Sequence, residues 1–300
     1  MKYRTDLAVE NMENLEERGV KPGEKDGIVI DKKTVDEDIR ITRIDIVNLK
    51  GEALMGKPVG RYITMEVDGI TEEKEGIFQR AACALSEELS TLIQHRYDLK
   101  VLIVGLGNEK VTPDSLGPHT VSKVKITGHL FRLFQCDGDE EMSNVCGIAP
   151  GVSATTGMET AELIEKAVEI LRPDAVIAID ALAARNIDRV STTIQISDTG
   201  ISPGAGMGNM RRQLNEDTLG TKVIAVGVPT VIDSRTLISE AVEAMKIPEE
   251  QACRYMENRQ FDMVVTSTDI DLVIASFSEI IAKAINITLH PGIYSMEQKL

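Results

Sequence analysis

Three continuous apolar runs mark the chain: VLIVGLG from residue 101, AVIAIDAL from residue 175 and VIAVGVP from residue 223. Segments with helical spacing separate them, among them TGMETAELIEKAVEILRP and DSRTLISEAVEAM. Strands that are buried on both faces read as continuous apolar runs, and helices between them supply the crossover connections. The pattern therefore predicts a three-layer α/β fold, in which helices cover both faces of a mostly parallel sheet.

The first hundred residues follow other patterns. ITRIDIVNLKG and GRYITMEVDG alternate apolar and polar residues, which predicts a hairpin or two neighbouring strands. Residues 76–97 have apolar side chains at helical spacing and predict an amphipathic helix. Residues 1–40 are charge-rich, which is compatible with a helix and a loop or with partial disorder.

Two further segments are rich in polar residues or glycine. The glycine-rich run SPGAGMGNMRRQLNEDTLG from residue 202 predicts a long surface loop that acts as a lid or a substrate rim. The stretch KIPEEQACRYMENRQ from residue 246 predicts a linker, a short helix or a surface insertion. No internal repeat or shift in composition marks a second domain.

Composition narrows the classes of function. The chain has 300 residues, 42% of them hydrophobic, and 33 basic against 48 acidic residues give a formal charge of −15. This charge disfavours nonspecific binding to nucleic acid or to an anionic membrane. The N-terminus is charged and no run of 18 apolar residues occurs, so neither a signal peptide nor a membrane span is expected. The four cysteines lack zinc-ligand spacing and indicate reduced thiols in a cytoplasmic protein.

Two aspartates beside buried strands are the first candidates for chemistry. The run from residue 101 breaks into a glycine turn that leads to Asp114, and the run from residue 175 is expected to end in Asp180. Each alone is most often a cap or a turn former. However, open α/β proteins place their active sites at the carboxyl edge of the sheet, and two such carboxylates there favour a site. If they share a water, one holds a proton while the other is charged, which suits general acid-base hydrolysis of an amide.

Other chemistry has less support. A dinucleotide cradle would need a third glycine where Lys110 stands, and no G-x-S-x-G motif occurs. The four histidines form no metal motif; His119 could be a ligand, a base, or a residue of a turn or helix start. Cys146 could be a nucleophile, but no partner histidine can be named.

Several longer blocks carry a family resemblance: RTDLAVE, VGLGN with VTPDSLGP, GIAPGVSATTGMET, VIAIDALAAR, TTIQISDTGISPGAGMGN and VIAVGVPTV. Together they span roughly residues 3–234 and resemble the germination protease family of spore-forming bacteria. The resemblance implies an endopeptidase that degrades the small acid-soluble proteins coating spore DNA. It also implies a fold similar to hydrogenase-maturation endopeptidases, a homotetramer in the spore core cytoplasm, and no cofactor.

The same resemblance assigns residues. The family's two proposed catalytic aspartates fall on Asp114 and Asp180, and its processing point falls on the Asp6–Leu7 bond. Residues 1–6 would then be a propeptide, in a polar segment expected to be accessible, and 7–300 a single α/β peptidase domain. Residues 245–262 are shorter than is usual in the family, which leaves their structure open.

An acidic substrate residue before the cut would need positive charge to offset its repulsion by this acidic protein. The candidates for that role are Arg185, Arg211 and Arg212, which could instead be solvated surface charges. Two alternative functions remain open: a metal-assisted peptidase with Asp114, Asp180 and His119 as ligands, and a noncatalytic binder of small spore proteins that uses the loop 200–212.

Overall fold

One nine-stranded sheet organises the molecule. The computed structural model describes residues 5–72, 74–204, 212–246 and 263–294. The strands are β1 (Ile28–Thr34), β2 (Ile39–Ile46), β3 (Gly60–Val67), β4 (Lys100–Gly105), β5 (Asn144–Ile148), β6 (Ala175–Ala184), β7 (Thr193–Ser197), β8 (Lys222–Asp233) and β9 (Val264–Thr266). Their order is β1-β2-β3-β7-β8-β6-β4-β5, and β9 pairs with β8.

Helices lie before, between and after these strands. The α-helices are α1 (Ala8–Glu17), α2 (Leu49–Met55), α3 (Ile77–Ser90), α4 (Leu116–Lys123), α5 (Gly128–Phe134), α6 (Ser153–Thr156), α7 (Thr160–Leu171), α8 (Glu216–Leu219), α9 (Ser234–Ala244), α10 (Ile270–Leu289) and α11 (Pro291–Tyr294). Short 3-10 helices span Glu24–Asp26, Thr112–Asp114 and Ile187–Arg189.

The sheet is mixed, and the prediction of a mostly parallel sheet is not confirmed. Strands β4, β5, β6 and β8 are parallel to their neighbours in this group. Strands β1, β2 and β3 form an antiparallel meander, and β7 lies antiparallel between β3 and β8. The connection from β6 to β7 is too short for the helical crossover that a parallel strand requires. The predicted parallel strands at residues 101, 175 and 223 are confirmed, as is the pairing of β2 with β3.

Apolar side chains fill both faces of the parallel strands. In β4, Val101 and Ile103 belong to a core with helices α3, α4 and α10, whereas Leu102 and Val104 belong to a core with α7 on the other face. This alternation explains why the run is continuously apolar. The helices predicted over residues 76–97, before β6 and after β8 are present as α3, α7 and α9, and both faces of the sheet are covered.

Helix α10 is the central helix of the larger core. Its length and composition would allow it to cross a membrane, but 72% of its most apolar window is buried inside the protein. Phe277 on this helix is fully buried among residues of α3 and the sheet. Its apolar character is therefore explained by its place in the core.

Two segments discussed from sequence lie largely outside the described residues: 205–211 in the loop 200–212, and 247–262. The described ends of the loop are joined, because the backbone amides of Ile201 and Leu214 each donate to the other's carbonyl at 2.9 and 2.8 Å. The N-terminal region is better ordered than its composition suggested. It forms α1 and β1, and Ala8, Val9 and Met12 of α1 are buried against the meander.

Candidate active site

Strand β4 ends earlier than its neighbour β6, so the rest of β6 has no β4 partner beside it. The parallel pairing of β4 with β6 stops at Gly105 and Ile179, whereas β6 remains paired with β8 through Asp180 and beyond. The prediction that the strand ends in Asp180 is therefore wrong: Asp180 lies within β6, at the first position where β4 no longer covers the strand. It is 5% exposed, and one of its carboxylate oxygens accepts from the amide of Ala181 at 3.0 Å.

Asp114 is held near the end of β4 by the loop that follows this strand. It ends the 3-10 helix Thr112–Asp114, and the amide of Asn108 donates both to its carbonyl oxygen at 2.9 Å and to its carboxylate at 3.0 Å. From β8, the hydroxyl of Thr230 donates to the carbonyl of Pro113 at 2.7 Å. The loop is thus fixed both internally and to the sheet.

The two aspartates line one cavity of about 270 Å³, and Asp6 of the N-terminal segment lines it with them. Residues of β6 and of the loop 106–107 form part of the wall. His119 lies on α4 and is exposed to solvent. Across the parts of the chain that are described, no three His, Cys, Asp or Glu side chains are grouped as a metal site. The structure thus brings together Asp6, Asp114 and Asp180, but not His119.

The N-terminal segment runs along β6. The amide of Asp6 donates to the carbonyl of Ala183 at 2.9 Å, and the amide of Ala183 donates to the Asp6 carboxylate at 2.9 Å. Leu7 is fully buried among apolar residues that include Tyr62 and Leu182. The expectation of an accessible segment is wrong for these residues, since Leu7 fills an apolar pocket and Asp6 pairs with a strand.

Sequence comparison identifies the family. The family model described as germination protease, Peptidase A25, matches residues 5–248, a range that includes Asp6, Asp114 and Asp180. The chain belongs to the germination protease family. Membership of this family supports a peptidase activity, which is a hydrolase activity.

Three relatives show how far the similarity extends. A germination protease of Clostridium perfringens is 42% identical over 96% of this chain and 95% of its own length. That of Caldanaerobacter subterraneus subsp. tengcongensis is 40% identical over 98% of this chain and 96% of its own length. That of Bacillus subtilis is 45% identical over 80% of this chain but 66% of its own length.

Two residues that sequence reasoning missed contact the Asp6 carbonyl. Lys57, just after α2, donates to it from Nζ at 2.8 Å, and Gln195 of β7 donates to it from Nε2 at 2.9 Å. With Asp6 and Tyr62, both line a second cavity of about 320 Å³. Burial lowers the pKa of the Lys57 ammonium, against the opposing effect of the Asp6 and Glu10 carboxylates. Gln195 could have been noticed as a long polar side chain between two isoleucines in TTIQIS, whereas Lys57 has no sequence signal.

Glu10 fixes the segment from the other side. It is 1% exposed on α1, and its carboxylate accepts from the amides of Arg185 and Asn186 at 2.7 and 2.9 Å and from the hydroxyl of Thr5. Burial raises the pKa of Glu10, although these hydrogen bonds oppose the shift. The carboxylate therefore ties the residues before Leu7 to the end of β6.

The predicted arginines have acidic partners within the protein. Arg185 is buried and pairs with Glu17 at 2.9 Å and with Glu240 at 3.3 Å. Arg212 pairs with Glu165 at 2.5 Å. Arg211 lies outside the described residues. The role of these arginines in reading an acidic substrate stays a prediction.

Proposed function

We propose that this protein is an endopeptidase that begins the degradation of small acid-soluble spore proteins during germination, using Asp114 and Asp180 to hydrolyse the peptide bond. The observation that carries the proposal is the cavity lined by both aspartates and by Asp6. Membership of the germination protease family supports peptidase activity. Asp114 and Asp180 share their cavity with Asp6, which precedes the bond expected to be the family's processing point. The proposal includes a homotetramer in the spore core cytoplasm and requires no cofactor.

The proposed reaction needs one charged aspartate and one protonated aspartate. The charged aspartate takes a proton from water, whose oxygen adds to the peptide carbonyl carbon. The protonated aspartate gives its proton to the leaving nitrogen as the C–N bond breaks. Two neighbouring carboxyl groups favour this division, because the charge on one disfavours ionisation of the other. The products are a new carboxyl group and a new amine.

We extend the proposal to self-processing of a zymogen at the Asp6–Leu7 bond, which would release residues 1–6. Asp6 lines the cavity of the two aspartates in its own chain, which supports cleavage within one molecule. Leu7 and Ala8 are fully buried, so the new N-terminus would stay in place after the cut. Because the cut would occur within one molecule, its rate should not depend on protein concentration.

Incubation of the protein with a purified small acid-soluble spore protein tests the substrate and the reaction class. We expect discrete fragments cut after an acidic residue, in equal yield with and without excess chelator, with new termini read by mass spectrometry. Activity that disappears with chelator and returns with added metal would instead favour the metal-assisted peptidase. A complex without fragments, formed by a chain that has lost residues 1–6, would favour the noncatalytic binder.

A further inference from the structure

The carbonyl group of Asp6 is contacted by two donors from distant parts of the chain. Lys57 Nζ lies 2.8 Å and Gln195 Nε2 lies 2.9 Å from the same oxygen. This carbonyl belongs to the bond that the proposed self-processing cuts. We propose that Lys57 and Gln195 are catalytic residues that stabilise the negative charge developing on the carbonyl oxygen of the residue before the cut. The inference rests on the proposed function.

The chemistry of the two donors fits this role. When water adds to the Asp6 carbonyl carbon, the carbonyl π electrons move to the oxygen, which becomes an oxyanion until the C–N bond to Leu7 breaks. Donors that already point at that oxygen stabilise the transition state more than the ground state. In the proposed reaction one aspartate accepts a proton from water and the other donates a proton to the leaving nitrogen. Neither proton transfer neutralises the oxyanion. Lys57 contributes an ammonium group and Gln195 a fixed amide dipole.

The orientation of the Gln195 carboxamide is set by a second contact. Its Oε1 accepts from the amide of Ala8 at 2.7 Å, while its Nε2 donates to Asp6. Reversing the amide would place two acceptors together at Asp6 and two donors together at Ala8. Gln195 therefore holds the backbone on both sides of the Asp6–Leu7 bond and keeps its N–H group directed at the carbonyl oxygen.

Lys57 is partly withdrawn from water, and this burial lowers the pKa of its ammonium group, against the opposing effect of nearby carboxylates. The Asp6 and Glu10 carboxylates act on it from the N-terminal segment and from α1, and Tyr62 of β3 lines the same cavity. A desolvated ammonium interacts more strongly with an adjacent oxyanion than a solvated one would. Lys57 is thus placed to act on charge that forms at this oxygen.

The test measures self-cleavage of the full-length chain by intact mass, with the wild type, Lys57→Met and Gln195→Glu compared. Removal of one donor of this kind costs about 100-fold or more in rate, and we expect losses of that size in both variants. Gln195→Glu keeps an acceptor for Ala8 and replaces the donor to Asp6 with a carboxylate oxygen, which also brings a negative charge to the carbonyl. Lys57→Arg keeps the charge and is expected to recover part of the rate. Lys50→Met, at an exposed lysine that pairs with Asp26, is the matched control and should cleave as the wild type does.

If Lys57 only held the N-terminal segment in place, Lys57→Met would disturb docking of the segment as well as cleavage. A second measurement distinguishes this structural role from the catalytic one. In an Asp180→Asn background, hydrogen exchange at the Asp6 amide reports docking of the segment, because that amide donates to Ala183. We expect Lys57→Met to leave this protection unchanged while it slows cleavage in the otherwise wild-type chain. Lost protection would make Lys57 a docking residue and would overturn the catalytic assignment.

The remaining outcomes separate this inference from the function on which it rests. If the wild type is cut while Lys57→Met is cut less than tenfold more slowly, the oxyanion role is wrong and the two-aspartate proposal stands. If the wild type is never cut, or Asp180→Asn is cut equally fast, self-processing by the aspartates is wrong and the inference fails with it.

Discussion

Gly107 adopts φ of +104°, and this residue shapes the loop that presents Asp114. A Cβ atom built there would clash with the Asp114 carbonyl oxygen, which accepts from Asn108 in the same turn. The sequence suggested that Gly105 and Gly107 allow a sharp turn, and the structure gives the reason at Gly107. Both the backbone conformation and the close approach of Asp114 require glycine at this position.

We predict that Gly107→Ala is destabilised and loses most peptidase activity, because the loop must move and displace Asp114. Gly157→Ala is the matched control: Gly157 also has a positive φ, of +72°, but a Cβ there meets no atom within 4 Å. The control should cost about 1–2 kcal/mol from backbone strain, and Gly107→Ala about 1–3 kcal/mol more from overpacking. Urea unfolding of both variants measures the difference, and equal losses would show that the contact with Asp114 is unimportant.

Sequence reasoning found Asp114 and Asp180 because each stands next to a buried apolar run, which is a local signal. Lys57 and Gln195 could not be found in the same way. Their common contact, the Asp6 carbonyl, depends on three segments that lie far apart in the chain and meet only in the folded molecule. The arginines were chosen for their charge alone, and Arg185 and Arg212 are paired with glutamates of the protein.

At the scale of elements, helices α3, α7 and α9 and the parallel strands β4, β6 and β8 followed from the sequence pattern, whereas strand ends and most strand neighbours did not. The apolar run of β6 reads as ending at Asp180, but hydrogen bonds to β8 carry the strand on to Ala184. Helix α2 between β2 and β3 is short, and Met55 is its one buried side chain, so periodicity gave no signal for it. Pairing partners of a strand come from tertiary contacts that a local pattern does not contain.

His290, at the end of α10, gives a prediction at this scale. It is fully buried and its Nε2 lies 3.0 Å from the Lys125 carbonyl, so α10 is tied to the segment before α5. Burial lowers the pKa of His290 to about 4 from the ordinary 6.5. The unfolded chain then binds a proton more readily than the folded one between these values. The stability that neutral His290 supports is complete above pH 6.5 and is lost as pH falls toward 4.

We therefore expect His290→Gln to show a shallower loss of stability than the wild type between pH 6.5 and 4. Each unit of pKa difference is worth about 1.4 kcal/mol, so the wild type should lose up to about 3 kcal/mol more than the variant. Urea unfolding across this range measures the slopes. His129→Gln, at an exposed histidine, is the control and should follow the wild type. Parallel curves for wild type and His290→Gln would contradict the assignment.

At the scale of the whole molecule, the site depends on both halves of the sheet. The aspartates belong to the parallel half, β7 joins that half to the antiparallel meander, and the N-terminal segment crosses from β7 to β6. The cavity is therefore complete only when residues 5–8 are docked against strands that fold from later parts of the chain. This arrangement places Asp6 in the cavity that Asp114 and Asp180 line.

The central claim is that Asp114 and Asp180 hydrolyse the peptide bond presented there. The most direct measurement follows the intact mass of purified full-length protein under mildly acidic conditions, for the wild type, Asp114→Asn, Asp180→Asn and the exposed control Asp98→Asn. Loss of residues 1–6 should occur in the wild type and the control at a rate independent of concentration. It should slow about 100-fold or more in both active-site variants, with thermal transitions unchanged. A slowing of less than tenfold in either folded variant, about 1.4 kcal/mol in the barrier, would contradict its role in catalysis.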